Sequence, residues 1–543
     1  TASEAQSSVI GDNGSITLQT SNGNLLEIQS QNYAYGGADV VNLTTGTNAV
    51  IGGALGDQIS SQSGTNTILG DAGRATFDTD GKLNLIESTN LGTGASDTIL
   101  LSDGTNYVIA GLGNDDIDVG GGRNFVHGDE GRVEVLNDGS NVTKIVTLNA
   151  ANGDVLDVDQ IDIAAGINFV MGGAAADEIR VTGSTNSSQN HIVGDNAEIE
   201  LLTSSDEIIS VKSTDHAYGG NDVISLADGK NTVVAGYGDD QISALDGENI
   251  VLGDHGLLVW DQSTTPPTLT DVRTAMEVFS GNDQITGGLS VDLIFGGGGA
   301  DAIDAGPGDI EDIVVGDGGI LLLDLQSRPL KVVSLGNENG NDDTIISGAG
   351  NDFILGGDGD DTIDSGSDND LIFGDHGELI WDTTTPTPFL REFRSTDVSF
   401  GGNDRIESPG GSDIVFGGSG DDVIHGGIDH AGDVVLGDNG LVLFNLSGDL
   451  VELHTTDHAF GGFDQIITGS ARDYVLGGDD GDMITTNGGH DIILGDTGHL
   501  TWSQETNPPT LISISSPSED TDHGGDDTID AGQGNDLAFG GTG

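Results

Sequence analysis

Ser347–Phe373 reads as three units of nine: SGAGNDFIL, GGDGDDTID and SGSDNDLIF. Glycine and serine crowd the front of each unit, an aspartate stands sixth (Asp352, Asp361, Asp370), and an isoleucine stands eighth (Ile354, Ile363, Ile372). Such a unit reads as a tight turn followed by a very short strand. Two units close one coil of a solenoid, so residues 18 apart stack on one another. Asp352 and Asp370 then share an edge of adjacent coils, where carboxylates and turn carbonyls form the hard, flexible oxygen cage that suits Ca²⁺. The fold class expected is all-β: a parallel β-solenoid of stacked coils with Ca²⁺-binding turns.

The pattern GGxGxDxUx, with U a large apolar residue, resembles the repeat of the RTX (repeats-in-toxin, hemolysin-type) calcium-binding family. The resemblance implies a parallel β-roll in which the glycine-rich six residues bind calcium and the last three form strands. It also implies a large exported bacterial protein of the adhesin, S-layer or matrix-filament kind. Degenerate copies recur along nearly the whole chain, and the segments between them lie outside the resemblance.

Composition agrees with cation binding. Fifteen basic residues face 90 acidic ones, a net charge of −75. That much repulsion would ordinarily keep a chain open, but here the acids are periodic and the apolar residues fall at fixed offsets. Metal binding and folding are therefore expected to be one event. With no cysteine, neither disulfides nor thiolate zinc sites are available. The scarcity of Lys and Arg argues against nucleic acid and anionic membrane partners. No apolar run approaches a membrane span, and no signal-peptide pattern opens the chain. Ninety glycines exclude a helical fold.

A longer period sits above the nine-residue beat. Gly-Asp turns recur at Gly11, Gly70, Gly128, Gly194, Gly253, Gly316, Gly374, Gly437 and Gly495, 58 to 66 residues apart. Each opens a block in which two polar–apolar strands joined by a loop precede about four nine-residue units, so hairpin inserts are expected periodically. At roughly 20 residues to a coil, a block would span about three coils. Trp260, Trp381 and Trp502 are 121 residues apart, each followed by a proline-containing loop. If exposed, these loops would recur about every 29 Å and offer lateral contacts between rods. Residues 1–256 and 257–543 read as two sections of one continuous rod, without polar end caps. Such a chain is expected to be a piece of a longer protein, or a protomer that self-associates end to end or side by side.

The sixth position separates the two sections. In the first, Asp39, Asp57, Asp97, Asp115, Asp159, Asp177, Asp222 and Asp240 alternate with Asn48, Asn66, Asn106, Asn124, Asn168, Asn190, Asn231 and Asn249. In the second, aspartate is used throughout: Asp283, Asp292, Asp301, Asp312, Asp343, Asp352, Asp361, Asp370, Asp404, Asp413, Asp422, Asp433, Asp464, Asp473, Asp482, Asp491, Asp527 and Asp536. These aspartates are the candidate metal ligands. Alternation in sequence becomes segregation in space, with one edge of Asp and one of Asn. An Asn edge would bind Ca²⁺ weakly and could instead form a hydrogen-bonded ladder. One calcium row is expected in the first section and two in the second.

No catalytic constellation emerges. His255 and His376 sit in GDHG turns, and Asp-His pairs recur at Asp215-His216, Asp457-His458 and Asp522-His523, which favours a structural role. Neither a His-Glu-x-x-His stretch nor a nucleophile elbow in helical context is present. The function expected is a calcium-stabilised structural region of a secreted or cell-surface bacterial protein, with no enzymatic activity. The alternative is a calcium-binding module attached to an exported enzyme or toxin.

Overall fold

The last three residues of each nonapeptide form strands as short as Phe353–Leu355, Thr362–Asp364 and Leu371–Phe373. Alternate units enter different sheets, so Phe353–Leu355 pairs in parallel with Leu371–Phe373, 18 residues on. The structure, a computed structural model, describes residues 6–136, 139–148, 157–183, 187–275, 279–336, 340–427, 430–516 and 524–541. The Asp522-His523 pair lies outside the described residues. All regular structure described is β. The chain divides into two compact units, Thr1–Thr268 and Leu269–Gly543.

Both units have the same three layers. An inner parallel sheet carries strands such as Gly104–Ile109 and Gly122–His127 in the first unit, and Phe353–Leu355 and Leu371–Phe373 in the second. An outer parallel sheet carries strands such as Thr98–Leu101 and Asp116–Val119, or Thr344–Ile346 and Thr362–Asp364. The inserts form the third layer. They do not project; each widens one coil of its block. Each is an antiparallel hairpin, such as Gly73–Phe77 with Leu83–Ser88, whose second strand pairs with the first strand of the next hairpin, Gly131–Val135. In the second unit, Gly377–Asp382 and Phe389–Ser395 continue in the same way into Gly440–Phe444.

This third layer corrects the expected coil count. A block contains two inner strands, two outer strands and the two strands of one hairpin, as in Gly316–Phe373. Two rungs, not three, therefore make a block, and each sheet gains one strand per rung at the usual ~4.8 Å spacing. The hairpin fits because its two strands fill the rise of two rungs. Within the second unit, Trp381 and Trp502 are then four rungs apart, about 19 Å rather than 29 Å.

Layering accounts for the apolar pattern. The inner sheet is covered on both faces, and Asn124, Phe125, Val126 and His127 are all buried. The outer sheet alternates, with Ile117 and Val119 buried and Asp116 and Asp118 exposed. Tyr107, Phe125, Phe169 and His191 stack up the first unit's inner sheet at 5.0–5.2 Å between rings. His127, on the same face as Phe125, meets Thr147 of a hairpin at 3.1 Å. In the second unit Phe393 of a hairpin stacks on Phe373 at 3.9 Å and meets Phe416 edge-on. Trp381 and Trp502 are each only 8% exposed and pack on Phe353 and Tyr474. They hold their own hairpins down and are not themselves available for rod-to-rod contact, whereas loop residues beside them, such as Thr384, Thr385, Pro386 and Thr387, are exposed.

Phe393→Ala would open a cavity between hairpin and inner sheet and is expected to lower the stability of the calcium-loaded protein by about 3–5 kcal/mol. Chemical denaturation in excess calcium measures this, and an unchanged midpoint would show that the hairpin layer carries no such packing energy.

Candidate metal centre along two stacked turn edges

Each rung has two turn edges. At the first, the chain enters the outer sheet; at the second, the inner sheet. The sixth-position residue stands just before or within the start of each strand, so one side chain per rung enters each edge.

On the first edge the aspartates form an unbroken ladder. In the first unit, the main-chain N–H of Asp39 donates to Asp57 Oδ1, and the same bond repeats through Asp97, Asp115, Asp159, Asp177, Asp222 and Asp240 at 2.7–2.8 Å. In the second unit the ladder runs Asp283, Asp301, Asp343, Asp361, Asp404, Asp422, Asp464, Asp482 and Asp527 at 2.7–3.0 Å. From Asp57 to Asp240, and again from Asp283 to Asp482, no member is more than 2% exposed.

One oxygen per carboxylate is thereby satisfied. The Oδ2 atoms of Asp57, Asp97, Asp115, Asp159, Asp177, Asp222, Asp343, Asp361, Asp404, Asp422, Asp464 and Asp482 are buried without a hydrogen-bond partner. A buried ionised carboxylate is tolerated only with a compensating charge. Burial, opposed in part by the ladder N–H, raises Asp97 from 3.8 to about 8. Asp404 rises to about 8 and Asp482 to about 9, again chiefly through burial. Asp115, Asp222 and Asp422 are pushed up by burial and then by the neighbouring aspartates. The front glycines leave room for this crowding: a Cβ on Gly356 would run into the Asp361 carboxylate and the Gly374 carbonyl. Hard, anionic oxygens beside turn carbonyls are the donor set Ca²⁺ takes, and these residues fit it.

The second edge differs between units as the sixth position indicates. In the first unit, Asn48, Asn66, Asn106, Asn124, Asn168, Asn190, Asn231 and Asn249 donate amide to carbonyl in one continuous ladder at 2.7–3.0 Å. Donors and acceptors are matched within the row, no charge accumulates, and all eight are at most 2% exposed. Glycine supports this edge too: Gly122, at φ 129°, sits where a Cβ would strike the Gly104 carbonyl.

In the second unit the second edge is Asp292, Asp312, Asp352, Asp370, Asp413, Asp433, Asp473, Asp491 and Asp536, joined by the N–H to Oδ1 bond at 2.7–3.2 Å. Burial lifts Asp312 and Asp370 to about 8. This row is partly served by protein donors, since Asp292 Oδ2 accepts the Gly288 N–H at 2.9 Å and Asp473 Oδ2 accepts the Thr468 hydroxyl at 2.6 Å.

Two further sets of turn side chains lie outside the sixth-position pattern. The aspartates of the Gly-Asp turns that open each block turn inward beside the first edge. Asp71 Oδ2 takes the Leu112 N–H at 2.8 Å, Asp129 Oδ2 the Ala174 N–H at 2.7 Å, and Asp375 Oδ1 the Gly402 N–H at 3.0 Å. Burial, followed by the charges of Asp97 and Asp115, pushes Asp71 to about 10. Their recurrence at one place in every block was the available signal. The second set is the fifth position, where Asp342, Asp360, Asn403 and Asp421 form an exposed ladder outside the buried one, each Oδ1 accepting an N–H from the next rung at 2.7–2.9 Å. Several basic residues serve the hairpin sheet: Arg74 lies between Glu27 and Glu87, Lys144 pairs with Glu198, and Lys331 and Arg394 flank Glu378, while Arg180 and Arg405 pair along the outer sheet and Lys230 with Glu248 along the inner one.

Two outcomes are expected. Calcium titration of residues 1–268 and 269–543 expressed separately should give more ions per rung in the second, because only there do both edges carry carboxylates; equal stoichiometry would contradict the role given to the Asn ladder. Stability should also depend on pH with opposite signs in chelator and in calcium. Without metal, the folded aspartates bind protons more tightly than the unfolded ones, so stability rises as pH falls from about 8 toward the ordinary carboxylate range. In excess calcium the carboxylates are held ionised, and stability is lost as pH falls through the unfolded carboxylate range. The metal-free chain, open at pH 8, should regain β circular dichroism as pH falls toward 4, whereas the denaturation midpoint of the calcium form should fall over the same range; changes of the same sign in both would refute the pair.

A family model described as RTX calcium-binding nonapeptide repeat, with four copies to the model, matches residues 91–132, 226–256, 278–309, 339–372, 399–430, 458–499 and 522–543. The matched stretches fall in both units and contain ladder residues such as Asp97, Asp115, Asp283, Asp361 and Asp464. No curated protein matches the chain. RTX calcium-binding nonapeptide repeats, set in stacked parallel strands, therefore recur in both units of the chain.

Proposed function

We propose that this chain is a calcium-stabilised structural region of a large secreted or cell-surface bacterial protein, serving as a rigid element of an adhesin, S-layer or extracellular fibre and carrying out no catalysis itself. The observation that carries this reading is the first-edge ladder, in which rung after rung from Asp57 to Asp222 and from Asp343 to Asp482 buries a carboxylate whose second oxygen has no hydrogen-bond partner. Carboxylates repeated identically along a stack suit a load-bearing role better than a catalytic one, because a reaction centre needs a singular arrangement. The same ladder makes folding conditional. In a calcium-poor cytoplasm the charges keep the chain open, which suits export; outside the cell, millimolar calcium shifts the equilibrium to the folded form by mass action.

The experiment is circular dichroism and sedimentation velocity of the whole chain in millimolar calcium, after EGTA, and after calcium is restored. The β spectrum should be lost and the sedimentation coefficient should fall with EGTA, and both should return with calcium. A chain that keeps its spectrum and compactness through exhaustive chelation would rule the reading out.

A further inference from the structure

Beside the first edge of the second unit lies a cluster unlike the ladders. The inner-sheet register Val315↔Leu355↔Phe373 sets Asp317, Asp358 and His376 on three successive rungs, just beyond the ends of those strands. One ligand-capable atom from each lies within 4.8 Å of the other two. Asp317 and His376 are fully buried, and Asp358 is 7% exposed. Asp317 Oδ2 accepts the Asp358 N–H at 2.5 Å, which leaves Asp317 Oδ1 buried with no hydrogen-bond partner. His376 Nε2 lies 2.5 Å from Asp358 Oδ1, and its Nδ1 lies 3.2 Å from the hydroxyl of Ser334 on the adjoining hairpin. Ser334 also accepts the Gly377 N–H at 3.0 Å, so the imidazole is held from behind with Nε2 turned toward the carboxylates. A fixed outer nitrogen of this kind orients a metal-binding histidine.

We propose that Asp317, Asp358 and His376 bind one first-row transition ion of the Zn²⁺ type, in a site chemically distinct from the calcium edges. One imidazole with two carboxylates is a borderline donor set that favours zinc or cobalt, whereas Ca²⁺ takes six to eight oxygens. The site is particular to this block. At the corresponding rungs of the next block stand Ser419 and Asn439, which simply hydrogen-bond to each other at 3.0 Å. Two blocks before those, the pair is Gly298 and Gly318, which offers no side-chain ligand. Among the described residues this is the one such trio of His, Asp or Glu side chains. An ion here would tie three rungs and, through Ser334, one hairpin.

The test uses the whole untagged chain kept in millimolar calcium, equilibrated with excess Zn²⁺ and freed of unbound metal by gel filtration in the same calcium buffer. Elemental analysis should find about one zinc per chain. His376→Gln should lower retained zinc at least about tenfold while leaving the circular dichroism of the calcium form unchanged. Glutamine can still donate a hydrogen bond to Asp358, so a histidine serving structure alone would leave the zinc content unaltered. Co²⁺-loaded protein should show visible d–d bands that His376→Gln and Asp317→Asn abolish. Wild-type zinc equal to that of His376→Gln, or zinc displaced by a tenfold rise in calcium, would overturn the proposal.

Discussion

The whole arrangement depends on one asymmetric interaction. Each first-edge aspartate gives one oxygen to the main-chain N–H of the rung before it and keeps the other buried, in many rungs with no protein partner. The hydrogen bond fixes register between rungs, but it also stacks carboxylates at about strand spacing. Unpaired charges that close and that buried oppose folding. A cation between rungs would remove the opposition and supply the missing partner for the second oxygen. Glycine at the front of each turn follows from the same geometry, since the carboxylate and a neighbouring carbonyl occupy the space a side chain would need.

The second edge shows how the same backbone can be held with and without charge. Asparagine carries both a donor and an acceptor, so Asn66, Asn106 and Asn124 complete one another with nothing left over. Aspartate at the corresponding place in the second unit carries two acceptors, and the balance falls to main-chain N–H groups, to Thr468 in one case, and, in the proposed calcium form, to the ion. The first unit thus has one edge that does not need metal, while the second unit has two edges with carboxylates. The hairpin layer lies apart from both, stabilised by aromatic packing such as Phe373 on Phe393 and by the basic residues that pair with its glutamates.

Much of this was legible in the sequence because the information is periodic. The sixth-position alphabet alone separates Asn106 from Asp115 and assigns them to different edges, and the 18-residue step predicts which side chains meet. The coil count was not legible. An insert of hairpin length looks like another coil until its two strands are seen to occupy a third layer, which removes a rung from every block. The tryptophans were misplaced for a related reason: beside a proline-containing loop Trp381 looks exposed, but the hairpin turns it onto Phe353. The Gly-Asp carboxylates are visible as a recurrence, but their burial is not, because turn chemistry alone does not bury Asp71. Asp317, Asp358 and His376 lie 41 and 18 residues apart, and only the stacking of a long coil on a short one brings them together.

The most direct measurement is an anomalous difference map from crystals of the calcium form, collected where calcium scatters anomalously. The account predicts a row of peaks between successive first-edge turns in both units, beside the free oxygens of residues such as Asp97 and Asp361, a second row in the second unit only, and none along Asn66 to Asn124. A map with no peaks beside the buried carboxylates, in a protein folded as described, would contradict it.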